Sequence, residues 1–185
     1  MGGSITPEEL YSLSQRFPIF QKLLVFIETG TYHGDTTRAA ALYFQDVFTF
    51  EIHPGLFAQS KAMSERMRLS QCHHLQGDSV KLMGEVLEKE KRPAMFFLDA
   101  HQSGPDTSNN HSPFTPLMDE LAIINAQYPK GQPALICVDD VRLWRAKYND
   151  WSIVTDEKII ASLSNHTISE SVEMNDRFFL VLNGK

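Results

Sequence analysis

Three features of the sequence predict an α/β fold: a Rossmann-like, doubly wound sheet, mostly parallel, with helices on both faces and a reversed C-terminal hairpin. Short apolar runs alternate with longer amphipathic stretches. The first run enters a helix through a turn bracketed by two glycines, and the last two runs flank the turn pair Asn175-Asp176.

The elements follow in order. Thr6-Pro7-Glu8-Glu9 is a capping box with proline at the first helical position, which predicts a helix to about Arg16 or Phe17. It forms an N-terminal extension over residues 1–22, ahead of a core over 23–185. Leu23–Ile27, Val47–Phe50, His74–Gln76, Ala94–Leu98 and Ala134–Val138 read as strands. Between them, Thr36–Tyr43, Gly55–Arg68, Ser79–Lys89 and Thr115–Ala126 read as helices. Such alternation implies a parallel sheet covered on both faces and wound by right-handed crossovers. A helix near Asp156–Leu163 then leads to Thr167–Met174 and Arg177–Leu182, a hairpin that completes seven strands. Gln102–Pro113, rich in Ser, Asn, Gly, Pro and Asp, reads as a long loop at the carboxyl end of the fourth strand. That is the edge at which open α/β sheets bind ligands.

Composition bounds the function. The 185 residues suit one domain, with no internal repeat or linker. With 42% hydrophobic and 22% charged residues, the chain is neither disordered nor fibrous. Seventeen Lys+Arg against 23 Asp+Glu give a net charge of −6, without a basic cluster, so nucleic acid is not expected as a partner. No apolar run approaches the ~18–20 residues of a membrane span. The N-terminus lacks a cationic start and an apolar secretion segment, so a cytoplasmic protein is expected, with Cys72 and Cys137 reduced. The glycosylation-type matches at Asn110 and Asn165 are then coincidental.

The most informative stretch is Phe26-Ile27-Glu28-Thr29-Gly30-Thr31-Tyr32-His33-Gly34-Asp35-Thr36-Thr37. Its Gly-x-x-x-Gly spacing departs from the Gly-x-Gly-x-x-Gly of dinucleotide sites. Glu28 would repel a pyrophosphate and suit a cationic ligand. Glu51, about twenty residues on, stands where an acidic side chain takes ribose hydroxyls. Asp78, in Gln76-Gly77-Asp78-Ser79, could accept from an adenine amino group. Each feature alone has a plain reading as a cap or a turn. Together and in this order they resemble the class I S-adenosylmethionine-dependent methyltransferases, which have a Glu-x-Gly-x-x-x-Gly turn, an acidic second strand and a terminal hairpin. The resemblance implies S-adenosylmethionine as cofactor. It places the methionine part at Glu28, Gly30, Thr31, Gly34 and Thr36, the ribose at Glu51, and the adenine at Asp78 and Ser79, with Asp99 completing the cofactor set.

Strand four ends in Leu98-Asp99-Ala100-His101 and strand five in Val138-Asp139-Asp140. Three carboxylates at neighbouring strand ends call for a counter-charge, and oxygen ligands suit Mg²⁺, Mn²⁺ or Ca²⁺. The pattern is similar to that of metal-dependent O-methyltransferases of the catechol type and of the macrocin type acting on sugar hydroxyls. That similarity implies Asp99, Asp139 and Asp140 as ligands of a divalent cation such as Mg²⁺ or Mn²⁺. His101 could act as general base or further ligand, with Asp99 as its catalytic neighbour. Here the chain departs from both types, which carry an acidic residue or a nearby lysine instead. His33 could line the cofactor pocket, Arg142, Arg145 and Lys147 could meet an anionic group, and Trp144 and Trp151 could wall a ring or sugar. His73-His74 lacks partners at zinc spacing. The sequence thus predicts an enzyme that methylates a hydroxyl of a small-molecule acceptor, sugar or phenol, without membrane or nucleic-acid partners; a homodimer is compatible with it. The alternatives are a metal-independent or nitrogen-directed methyltransferase and a non-catalytic binder of the same nucleoside.

Overall fold

The computed structural model describes residues 3–101 and 115–183. The predicted loop Gln102–Pro113, with the match at Asn110, lies outside the described residues. Seven strands form one sheet: β1 (Val25–Thr29), β2 (Asp46–Glu51), β3 (Cys72–Gln76), β4 (Ala94–Leu98), β5 (Ala134–Val138), β6 (Ile168–Met174) and β7 (Arg177–Leu182). Their order is β3-β2-β1-β4-β5-β7-β6, with β7 antiparallel to both β5 and β6 and all other pairings parallel. The winding reverses between β1 and β4, so their carboxyl ends flank the crevice at which such sheets bind ligands.

Seven α-helices accompany the sheet among the described residues: α1 (Pro7–Arg16), α2 (Asp35–Ala40), α3 (Pro54–Arg66), α4 (Ser79–Lys89), α5 (Leu117–Gln127), α6 (Val141–Arg145) and α7 (Asp156–Ser162). The capping box forms as its sequence predicts: the Thr6 hydroxyl accepts from the Glu9 amide, and the Glu9 carboxylate accepts from the Thr6 amide. Strand β1 starts two residues later than the apolar run beginning at Leu23. Pro18 opens a 3₁₀ turn over Pro18–Lys22, and the Leu23 amide donates to the Phe20 carbonyl to close it, which delays the ladder until Val25. Strand β3 begins at Cys72, two residues ahead of the predicted run His74–Gln76, and both cysteines are free. Helix α6 and the 3₁₀ turn Asn149–Ile153 were not predicted, being too short to show a helical period. No helix among the described residues is long and apolar enough to cross a membrane.

Side-chain alternation along the strands splits the core in two. Ile27, Phe96, Ile136 and Leu180 face α4, α5 and α7, whereas Phe26, Phe97, Cys137 and Phe179 face α1, α2 and the 3₁₀ turn. Asp139 and Arg177 extend the second set beyond the last paired residues Val138 and Phe178 and so meet beneath α1. Arg177, 5% exposed, donates from Nε to Asp139 at 3.0 Å, from Nη1 to Glu9 at 3.1 Å and from Nη2 to the Gly3 carbonyl at 2.5 Å. One guanidinium therefore fastens the N-terminal segment to the end of β5. Removing it would leave the Asp139 carboxylate enclosed without its counter-charge. Arg177→Met is expected to lower the unfolding free energy in urea by about 3 kcal/mol, the usual cost of breaking one side of a buried pair; an unchanged midpoint would show that Asp139 does not depend on this contact.

Candidate functional site

The site is built around the β1 turn. Gly30 has φ +81°, and a Cβ there would lie 2.6 Å from the Asp99 carbonyl oxygen. Glycine is required because the turn after β1 presses directly on the end of β4. Gly34, at φ +75°, caps α2 in the left-handed region. The Gly30 and Thr31 amides donate to the Phe50 carbonyl at 3.0 and 3.1 Å, which ties the turn to the end of β2. Tyr32 adopts φ +51°, a strained value for a side-chain-bearing residue, while its amide donates to Glu51 Oε2 at 2.8 Å.

Not every expected cofactor contact faces the crevice. Glu28, placed by sequence against the methionine part, is 1% exposed beneath the turn, where Oε2 accepts from Thr49 at 2.7 Å and from the Thr37 hydroxyl. Burial raises its pKa to about 8, although both hydroxyls act to lower it. It anchors the turn as a neutral acid instead of presenting charge. Thr31 pairs with Thr49, and the Thr36 hydroxyl accepts from the Ile5 amide at 2.9 Å, so these two also act as internal ties. His33 is exposed at the turn, its ring centroid 3.9 Å from that of Tyr32. Glu51 accepts the Tyr32 and His53 amides, one on each oxygen, and keeps further lone pairs. Asp78 caps α4 by accepting from the Val80 amide at 3.0 Å, with Ser79 beside it.

The carboxylates at the ends of β4 and β5 separate. Asp140, at φ +66°, swings away from Asp139 and meets His101, Nε2 to Oδ2 at 2.8 Å; His101 Nδ1 lies 3.3 Å from Asp99 Oδ1. Asp99, His101 and Asp140 thus offer three ligand atoms within 4.8 Å of one another. Asp139 does not join them: alternation turns it to Arg177, which corrects the expected ligand trio of Asp99, Asp139 and Asp140. Burial opposes charge on His101, but its contacts with Asp140 and Asp99 prevail and raise its pKa to about 9. The ring is an imidazolium at neutral pH, so the general-base role read from sequence does not fit it in this state. Burial raises the Asp99 pKa, whereas the His101 and Arg142 contacts hold Asp140 below the ordinary range against desolvation.

Arg142 contacts Asp140 and Asp176, and Arg145 contacts Asp156 at 2.6 Å and Glu173 at 2.8 Å; neither therefore stands as an unengaged anion ligand. Trp144 and Trp151 are buried and stacked at 5.7 Å, and the Trp151 ring meets His101 edge-on at 5.6 Å. His73 pairs with Asp46 at 2.7 Å, and His74 with Ser64 at 2.9 Å.

Arg177 and Glu120 escaped the sequence reading. Glu120 shares the buried face of α5 with Leu117, Leu121 and Ile124, and a carboxyl within that i, i+3, i+4, i+7 stripe was the available signal. Arg177 opens an otherwise apolar strand in the same manner.

No family model matches the chain, and no curated protein matches it in sequence. Solved structures do match in shape. A proposed caffeoyl-CoA O-methyltransferase from Staphylococcus aureus superposes with a TM-score of 0.63 at 14% identity, covering 99% of this chain and 86% of that one. The shared fold is a Rossmann-like, mostly parallel seven-stranded sheet with a reversed terminal hairpin, as found in solved methyltransferases. Within this methyltransferase fold, the N-methyltransferase NodS from Bradyrhizobium japonicum, solved with S-adenosyl-L-homocysteine, matches at 0.59 and 14%, over 97% and 88% of the two chains. A proposed rRNA methylase from Clostridium thermocellum matches at 0.62 and 16%, over 93% and 96%.

The enclosed Glu28 has a consequence for stability. The unfolded chain releases this proton near 4.5 and the folded chain near 8, so the folded state holds more protons between these values and loses stability as pH rises through them. Glu28→Gln keeps an oxygen for both threonine hydroxyls and is expected to flatten the fall in unfolding free energy between pH 5 and pH 8, two values bracketed by the shift. An unchanged slope would place the titration elsewhere.

Proposed function

We propose that this chain is an S-adenosylmethionine-dependent methyltransferase acting on a hydroxyl of a small molecule, sugar or phenol, with a divalent cation held by Asp99, His101 and Asp140. The observation that carries the reading is the meeting of the glycine turn with the end of β4 at Asp99, which supports a nucleoside on the turn side and an acceptor on the other. The fold and the varied neighbours support methyl transfer as such; the hydroxyl acceptor rests on the carboxylate and imidazole cluster.

The cofactor, when bound, supplies a methyl group on a sulfonium: the carbon–sulfur bond breaks as a carbon–oxygen bond forms, and its electron pair stays on sulfur. On the protein's side, Glu51 accepts ribose hydroxyls with the lone pairs its two amide contacts leave, and Asp78 and Ser79 stand at the adenine. Asp99 and Asp140 give the acceptor side its negative charge, and Trp151 walls it. The donor set of two carboxylate oxygens and one imidazole nitrogen fits Mn²⁺ better than Mg²⁺, which prefers oxygen alone. Such an ion would lower the acceptor hydroxyl's pKa so that its proton is released to solvent, and His101 would likewise give up its proton to solvent to become a ligand.

A second, cation-free reading has its own support. His101 as imidazolium lies between Asp99 and Asp140, Arg142 contacts Asp140 and Arg177 contacts Asp139, so each of the three aspartates has a cationic partner from the protein itself. There His101, held as imidazolium between Asp140 and Asp99, orients the Asp99 carboxylate, whose proton affinity is raised, and Asp99 takes the hydroxyl proton as the carbon–oxygen bond forms.

Calorimetry with S-adenosylhomocysteine and Mn²⁺, followed by an acceptor screen with and without chelator, separates these. The expected results are binding of the nucleoside, release of about one proton per Mn²⁺ at pH 7 as metal displaces the His101 proton, and transfer to a hydroxyl that stops on chelation. Absence of any nucleoside binding would overturn the methyltransferase reading, and transfer that survives chelation would replace the cation reading with the second.

A further inference from the structure

Glu120 is a buried acid that the chemistry above leaves unused. It is 1% exposed, and its two oxygens reach different elements: Oε1 accepts from the Ser79 hydroxyl at 2.5 Å and Oε2 from the Thr29 hydroxyl at 3.3 Å. Thr29 Oγ1 in turn accepts from the Asp99 amide at 3.2 Å. One side chain of α5 is thus bonded to the end of β1 and to the first turn of α4, and through one relay to the residue after β4. A leucine would continue the apolar stripe of Leu117, Leu121 and Ile124 without the cost of enclosing a carboxyl.

The arrangement is directional. A hydroxyl has a single hydrogen. With the Thr29 hydrogen aimed at Glu120, the lone pairs of Oγ1 are left for the Asp99 amide. With the Ser79 hydrogen aimed at Glu120, the start of α4 is held beside Asp78. Without the carboxyl both hydroxyls are free to turn; the Asp99 amide, which also donates to the Thr29 carbonyl at 3.2 Å, then keeps only that backbone tie, and the side-chain link from Asp99 to the adenine side is lost. We propose that Glu120 is a positioning residue that fixes the distance between the nucleoside-binding end of α4 and Asp99 by way of Ser79 and Thr29. The proposal deepens the methyltransferase reading and rests on it.

The test is the dissociation constant for S-adenosylhomocysteine, measured on the full chain for wild type, Glu120→Gln, Thr29→Val and the double variant, at a temperature where circular dichroism shows each folded. Gln keeps the volume but offers only one acceptor oxygen for two hydroxyls. Glu120→Gln is expected to weaken binding about tenfold and Thr29→Val about threefold, with the double variant no weaker than Glu120→Gln, because contacting residues couple. A merely structural role would lower the melting temperature and leave the affinity of the folded protein unchanged. Affinities within twofold of wild type, or single effects that multiply in the double variant, would overturn the proposal. Should Glu120→Gln fail to fold, Thr29→Val, which removes one hydroxyl, decides alone: an unchanged affinity overturns the proposal. Wild-type protein that binds no nucleoside fails the underlying reading, whereas wild-type binding with unaltered variants fails the positioning role only.

Discussion

Carboxyl groups enclosed at the carboxyl rim of the sheet must each find a proton, a hydroxyl or a cation, and this requirement organises the molecule. Desolvation of an unpaired carboxylate costs several kcal/mol, more than most single contacts return. Glu28 and Glu120 meet the requirement with hydroxyls and a raised proton affinity. Asp139 meets it with Arg177, and Asp99 and Asp140 meet it with His101 between them. Each solution draws in a different element: α2 and β2 at Glu28, α4 and α5 at Glu120, α1 and β7 at Asp139. The rim is therefore where the elements are locked to one another, as well as where a ligand would enter.

Adjacent residues of β1 carry this to both faces. Glu28 points with Phe26 toward α1 and α2, while Thr29 points with Ile27 toward α4 and α5. The glycine that follows lets the turn lie against Asp99 at the point where the strand order reverses. A site assembled this way is held from two sides by short side chains with few rotamers, which suits the alignment that an in-line transfer demands. The cluster of Asp99, His101 and Asp140 borders this support, with its imidazole backed by the edge of Trp151.

Much of the fold was legible because its signals are local. The runs Ala94–Leu98 and Ala134–Val138 and the helix Ser79–Lys89 form with the predicted bounds, since a fully buried strand and a helix with an Asp cap announce themselves within a few residues. Gly30, Glu51, Asp78 and Asp99 could be placed on one rim because each ends a strand or begins a helix. The direction of individual side chains was not legible. The sequence Asp139-Asp140 reads as a pair, but alternation and one left-handed residue send its members to different partners. Thr37, Thr49 and Thr29 give no sign in a linear reading that they enclose acids, because their partners lie 9, 21 and 91 residues away.

The central claim is that burial beside hydroxyls, and not solvent, sets the charge of the inner rim acids. Carbon-13 NMR of the side-chain carboxyls, followed across a pH titration of the intact protein, reads that charge residue by residue. The account predicts that Glu28 titrates near 8 and Glu120 near 7. Both groups titrating at the ordinary 4.5 would mean that water reaches them, and would contradict it.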